Sequence, residues 1–376
     1  MYPQLSPEHQ QQQQAMAALQ IEEGVTFREQ KDWLALFREL DEDHDGFIPV
    51  GELKSRVEAA GEQSGLTGEQ RMRLLQDADK NKDMMIDFGE FCSLMSKAKQ
   101  MRMRHVMFRA AQSVVPRSQR EEKLSYLQQY SCCPPPVFMI FFTIIEVAIY
   151  IYYVVTDEKK VGISISGPVP ISSPLIYSPC VRQEVWRYLT YALIHIGIYH
   201  ILFNSLTQLL LGIPLELVHQ WRVAIVYVLG IIAGSLAVSV TDPRVYLAGA
   251  SGGVYALIAA HVANLIVNWA EMEYAVCRLI FFVILIGADF GIALFNRYGD
   301  PSAAHGNKVS YVAHIGGFIG GLLMGIVVLR NFKKKTWERV VWWIALAGYI
   351  LLFVLCVAWN LFYQEYPKES DRICRV

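Results

Sequence analysis

The chain has 376 residues, 34 Lys plus Arg against 35 Asp plus Glu, and a hydrophobic fraction of 53%, above the roughly 45–50% usual for soluble domains. A net charge of −1 offers no bulk attraction to nucleic acid, so no nucleic-acid partner is expected. The average hides two unlike halves. Residues 1–130 are polar and charged, whereas from Pro134 onward the chain is a series of apolar runs of about the 20 residues that cross a bilayer. A soluble module is joined to a polytopic membrane domain, and the expected fold class is an all-α membrane helix bundle carrying an N-terminal lobe.

Residues 1–25 read as a polar tail with a run of five glutamines, Gln10 to Gln14, to which no role is assigned. So polar a start predicts no cleavable signal peptide. Residues 26–100 carry the first strong motif. DEDHDGFIPVGE places Asp41, Asp43 and Asp45 at loop positions one, three and five, Gly46 at the turn, Phe47 at the seventh position for a backbone carbonyl, and Glu52 at twelve. That is the pattern of an EF-hand calcium loop, and apolar residues at helical spacing flank it. Pro49 at position nine has no side-chain oxygen, so water must supply that ligand.

A second loop, DKNKDMMIDFGE, sets Asp79, Asn81, Asp83, Met85, Asp87 and Glu90 on the ligand positions. Met84 stands where glycine is usual, and a long side chain at positive φ is uncommon. The second site is therefore expected to be weaker, and the two loops to form one paired lobe with Ca2+ as its ligand. Residues 101–133 form a basic, Met-rich linker, with Met103, Met107 and Ala110 at helical spacing. It reads either as a calmodulin-target or membrane-surface helix, or as a solvated linker.

Seven spans are predicted, at 137–155, 194–218, 223–240, 252–268, 279–295, 309–329 and 340–362. Basic residues precede the first span, including Arg117, Arg120 and Lys123, and also the seventh, from Arg330 to Arg339. Positive loops stay in the cytosol, so the N-terminus is placed inside and the C-terminus outside or in a lumen. The seven cysteines are scattered without a CxxC pair. Cys180 and Cys374 share the outer side, where they could pair or remain free, and Cys132 and Cys133 flank the first span as a possible palmitoylation site.

The fourth span opens on GASGG, Gly249 to Gly253. It fits G-x-S-x-G, the nucleophile elbow of α/β-hydrolases, but that fold needs alternating strands and helices, and the flanks here are long apolar runs. A packing role for small residues is the other reading. Topology changes the weighing, because Ser251, His314, His195, His200 and Asn204 all fall at the outer ends of three descending spans. Polar side chains inside a membrane are costly and commonly functional.

Trp186–Arg187, the H-x4-H-x3-N of His195, His200 and Asn204, the GxSG at Gly249 to Gly252, and AHxxGxxxG from Ala313 to Gly321 together resemble the rhomboid family of intramembrane serine proteases. With the calcium loops and a seventh span, the chain resembles the EF-hand-bearing, secretase-type branch of animal rhomboids. The resemblance covers roughly residues 137–330 and implies a six-helix core at 134–335, with residues 336–376 adding a seventh helix and an outer tail.

It implies a Ser251–His314 dyad, with His200, Asn204 and the Ser251 amide as oxyanion donors. Gly249 and His195 would support the site, and Tyr255 would pack on His314. Gly317, Gly321 and Gly325 form a small-residue stripe for close helix approach, and Trp186 with Arg187 would anchor the outer loop. Asp289, mid-span, is assigned to polar packing, and Glu216 to a helix end or a pair with Arg222.

The resulting expectation is a calcium-regulated serine endopeptidase in the plasma membrane or secretory pathway. It would cleave single-span proteins such as growth-factor precursors near the outer end of a locally unwound helix. The alternatives are a catalytically inactive rhomboid-like factor that binds or escorts membrane proteins, and a calcium-gated channel or transporter. Few ionisable residues in the spans and no convincing repeat argue against the last.

Overall fold

The computed structural model describes residues 27–59, 68–115, 136–156, 170–298, 311–329, 336–367 and 371–374. The polar tail 1–25, the basic residues Arg117, Arg120 and Lys123, the Cys132–Cys133 pair and the basic loop at 330–335 lie outside the described residues. The chain forms two compact units that divide between Arg109 and Ala110.

In the first unit, α1 (Phe27–Leu40) and α2 (Val50–Ala59) flank the first loop, and α3 (Gly68–Gln76) and α4 (Phe88–Gln112) flank the second. Two short strands, β1 (Ile48–Pro49) and β2 (Met85–Ile86), pair antiparallel with Ile48 opposite Ile86. Both isoleucines are fully buried. They cap a core of Trp33, Phe37, Leu53, Leu74, Leu75 and Phe91, in which Phe37 meets Phe88 and Phe91 edge-on at 5.3 and 5.4 Å. The strand pair joins the two loops of the EF-hand pattern.

The second unit is a helix bundle: α5 (Val137–Thr156), the short α6 (Arg187–Thr190), α7 (Ile198–His219), α8 (Arg222–Thr241), α9 (Ser251–Val267), α10 (Ala275–Tyr298), α11 (Tyr311–Val328) and α12 (Thr336–Phe362). Among the described residues, five helices are long and apolar enough to cross a membrane: α5, α7, α8, α11 and α12. The chain is a polytopic membrane protein. Of the two other expected spans, α10 carries Arg278 and Asp289 among its apolar residues, and α9 has 17 residues. At 1.5 Å per residue α9 is about 25 Å long, shorter than the about 30 Å hydrocarbon layer.

The centre of the bundle is α11 packed on α9 and α8. Glycines make that possible. A Cβ on Gly317 would stand 2.2 Å from the Gly252 carbonyl oxygen, and one on Gly321 would stand 2.3 Å from the Ala256 Cα, so the two backbones touch without side chains between them. By contrast α5 and α12 are mostly exposed along apolar faces, as lipid-facing helices must be.

Several polar groups inside the bundle are paired across helices. Gln208 donates to Thr143 at 2.7 Å and to Glu146 at 3.2 Å, and Tyr227 donates to Gln208, linking α5, α7 and α8. The Glu216 carboxylate accepts the Phe138 and Met139 amides at 2.8 and 3.1 Å, capping the start of α5. Arg222 instead donates to the Val328 carbonyl at 2.7 Å. Glu216 thus serves a helix end and not the alternative pair with Arg222.

Cys180 and Cys374 form a disulfide with Cα atoms 5.9 Å apart. It fastens the chain end to the loop before α6. Around it Arg182 donates to the Asn360 carbonyl at 2.7 Å and stacks 3.2 Å over the Tyr366 ring, and Tyr366 donates to the Ser239 carbonyl at 2.7 Å.

Candidate functional site

Helices α7, α9 and α11 all begin at the same end of the bundle, and the polar residues singled out by spacing lie just before these helices or in their first two turns. The segment before α9 is drawn in by backbone bonds. The Gly249 amide donates to the Tyr191 carbonyl at 3.1 Å, and the Ala250 amide donates to His195 Nε2 at 3.4 Å. His195 is buried and acts on the chain just before Ser251. Gly249 adopts a φ of +113°, and a Cβ there would meet the His200 ring at 2.5 Å. Its smallness serves both a left-handed turn and the close approach of His200.

Ser251 is the first residue of α9 and is partly exposed. His314 lies in the first turn of α11 and is buried. Its ring stacks on Tyr255 with centroids 4.5 Å apart and planes at 15°. Its Nδ1 stands 3.1 Å from Asp289 Oδ2, within ion-pair distance, though the angle is not that of a hydrogen bond. The Tyr255 hydroxyl donates to the same carboxylate oxygen at 2.6 Å. Asp289 therefore links α10 to both α9 and α11. Its mid-span charge was the signal available beforehand, and spacing could not show which groups it meets.

The parts expected to do chemistry are less connected. Among the described residues the Ser251 hydroxyl makes no hydrogen bond to His314. Asn204 is buried and one of its amide donors is engaged by the His200 carbonyl of its own helix at 2.9 Å. His200 Nδ1 accepts the Ile196 amide at 3.4 Å. At the rim, Arg187 pairs with Glu184 and donates to the Ser173 and Ile176 carbonyls, both at 2.8 Å, while Trp186 donates to the Pro174 carbonyl at 3.1 Å. These two residues tie the loop to itself. A Cβ on Gly325, last of the stripe, would stand 3.1 Å from the Ala263 Cβ.

The lobe holds the other cluster. One ligand oxygen each from Asp41, Asp43 and Asp45 lies within 4.8 Å of the others. Asp41 accepts the Asp45 and Gly46 amides at 3.2 and 3.0 Å, and Gly46 has a φ of +90°, so the loop curls around its carboxylates. This donor set fits a calcium ion. In the second loop Asp79 accepts the Asp83 and Met84 amides at 3.2 and 2.9 Å, so the same curl forms. Met84 takes a φ of +67°, the strained region its side chain disfavours. Glu90 accepts the Lys80 amide at 2.9 Å and Asp87 accepts the Glu90 amide at 2.8 Å.

Comparison with known proteins places these features. The Rhomboid domain family matches residues 182–331, and the EF-hand domain pair matches residues 30–96. The chain is 38% identical over 329 residues to Inactive rhomboid-related protein 2 of Caenorhabditis elegans, spanning 88% of this chain and 93% of that one. The chain belongs to the rhomboid family. This rhomboid is also 36% identical over 369 residues to human Rhomboid-related protein 3, covering 91% of each chain, and 42% identical over 241 residues to mouse Rhomboid-related protein 2, covering 63% of this chain and 79% of the mouse protein.

These findings correct the catalytic expectation. A relative aligned along almost all of both chains is an inactive rhomboid-related protein, which overturns the reading of an active serine endopeptidase of the secretase-type branch. The expected protease and hydrolase activity falls with it. The physical reason is that Ser251 and His314 at motif positions are necessary for acyl transfer but not sufficient. The reaction also needs a nucleophile bonded to its base and donors turned toward the oxyanion. Here Ser251 is not bonded to His314, and Asn204 turns a donor back onto its own helix.

Proposed function

We propose that this rhomboid is a catalytically inactive, calcium-responsive factor that binds single-span membrane proteins and escorts them. One structural observation carries the reading: His314 is lodged between Tyr255 and Asp289 and is not hydrogen-bonded to Ser251. The polar site becomes a recognition cleft in which His200, Asn204 and Ser251 meet polar groups of a partner helix. The helix beside it suits such use, since α10 packs only lightly on α9 and α11 and a loosely held helix can move aside for a guest.

In the same reading the bundle is a six-helix rhomboid core with α12 as a seventh helix, in the plasma membrane or secretory pathway. The lobe is cytosolic, and the Ser251 end faces the outside or a lumen. The Cys180–Cys374 disulfide supports that orientation, because such bonds persist in oxidising compartments. The residues that would hold calcium are Asp41, Asp43, Asp45, the Phe47 carbonyl and Glu52 in the first loop, and their counterparts Asp79, Asn81, Asp83, Met85 and Glu90, with Asp87, in the second. Bound calcium would neutralise the clustered carboxylates and stiffen both loops through the β1–β2 pair.

The test is a co-precipitation and cleavage experiment on a tagged single-span reporter in cells. The reporter is expected to co-precipitate with the wild-type chain, and no fragment is expected above the Ser251→Ala background. A fragment produced by the wild type and lost in both Ser251→Ala and His314→Ala would overturn the proposal.

A further inference from the structure

At the other end of the bundle from Ser251 lies a cavity of about 330 Å³ between α7, α9 and α10. Pro214, inside α7, lines it, and since proline has no N–H the Leu210 carbonyl lacks its helical donor there. Leu265 and Phe282, both buried, close the back, and the His261 ring stacks on Phe282 with centroids 5.4 Å apart. The front is different. Leu210 is 63% exposed and Phe281 55% exposed, and on membrane helices such faces meet lipid. The cavity therefore opens sideways into the bilayer, and its occupant comes from there.

Arg278, in the first turn of α10, brings a positive charge to the lining and donates to the Ser113 carbonyl, and Asn264 donates to the Val114 carbonyl at 2.8 Å. The start of α10 adds the positive end of a helix dipole. A volume of about 330 Å³ suits a segment of one acyl chain.

We propose that this cavity is a binding site for an anionic phospholipid, with one acyl chain between Leu210 and Phe281 and the headgroup phosphate at Arg278. In the orientation proposed above it lies in the cytosolic leaflet, where anionic lipids are concentrated. The bound lipid would fill the gap beside α10 and hold the segment from Ser113 to Val114 against the helix ends.

The experiment uses the full-length protein in phosphatidylcholine vesicles with the same composition in both leaflets, so the result does not depend on orientation. A phosphatidylserine probe with a diazirine in its acyl chain is photo-crosslinked and the labelled peptides are identified. Labelling is expected in the peptides holding residues 210–214 and 281–282. Unlabelled phosphatidylserine should compete about fivefold better than phosphatidylcholine, the factor one basic residue supplies at an anionic surface. Arg278→Lys should keep that preference and Arg278→Gln lose it, while Leu210→Trp should abolish labelling at 281–282. Equal competition by the two lipids on the wild type, or labelling of the α5 and α12 faces as strong as at these peptides, would overturn the proposal whatever the variants do.

Discussion

At Gly249 a φ of +113° and the His200 ring, 2.5 Å from where a Cβ would stand, both require glycine. Gly249→Ala is therefore expected to destabilise the fold by about 1–3 kcal/mol, seen as a lower thermal midpoint in detergent micelles. An unchanged midpoint would mean that the turn relaxes freely. Both demands were hidden in a motif that resembled a hydrolase elbow, because φ and the position of His200 belong to the folded chain. Met84 was more legible. Its place in a calcium loop already demanded positive φ, and the structure has it at +67°.

Among the elements, α10 is tied to both α9 and α11 through Asp289. Asp289 receives the Tyr255 hydroxyl at 2.6 Å and stands 3.1 Å from His314 Nδ1. Asp289→Ala is expected to loosen α10 by about 1–2 kcal/mol, the range for polar ties between membrane helices. Hydrogen–deuterium exchange should then quicken in α10 while α8 and α11 keep their protection, and a uniform rise along all three would show that the tie is not local. The glycine stripe of α11 was visible as small residues four apart. Its partners on α9, Gly252 and Ala256, were not, because two helices must be brought together before either has a facing surface.

For the membrane unit as a whole, the Cys180–Cys374 bond closes a loop spanning 194 residues of sequence. Cys180→Ser with Cys374→Ser is expected to cost about 2–4 kcal/mol, measured as loss of thermal stability against the intact protein. The clasp beside it should fail in alkali. Burial pushes the Tyr366 hydroxyl up to about 12, above its unfolded value of about 10. A raised value means that the stabilisation is complete below about pH 10 and is lost as pH rises through about 12. Tyr366→Phe, which cannot ionise, should remove that alkaline loss from the stability profile.

The sequence by itself determined the EF-hand pattern and the membrane class, because each rests on local chemistry: carboxylates at fixed loop offsets, and apolar runs as long as a bilayer is thick. It also led to the expectation that Ser251, His314, His200 and Asn204 share one depth, since depth is counted along helices. It could not determine whether those groups form a working set. That depends on angles and distances between helices, and the structure seats His314 against Tyr255 and Asp289 while Ser251 stays unbonded to it. The disulfide between Cys180 and Cys374, the service of Glu216 to the start of α5, and the cavity beside Pro214 belong to the same category. Each joins residues far apart in the chain, and only the packed bundle brings them within reach.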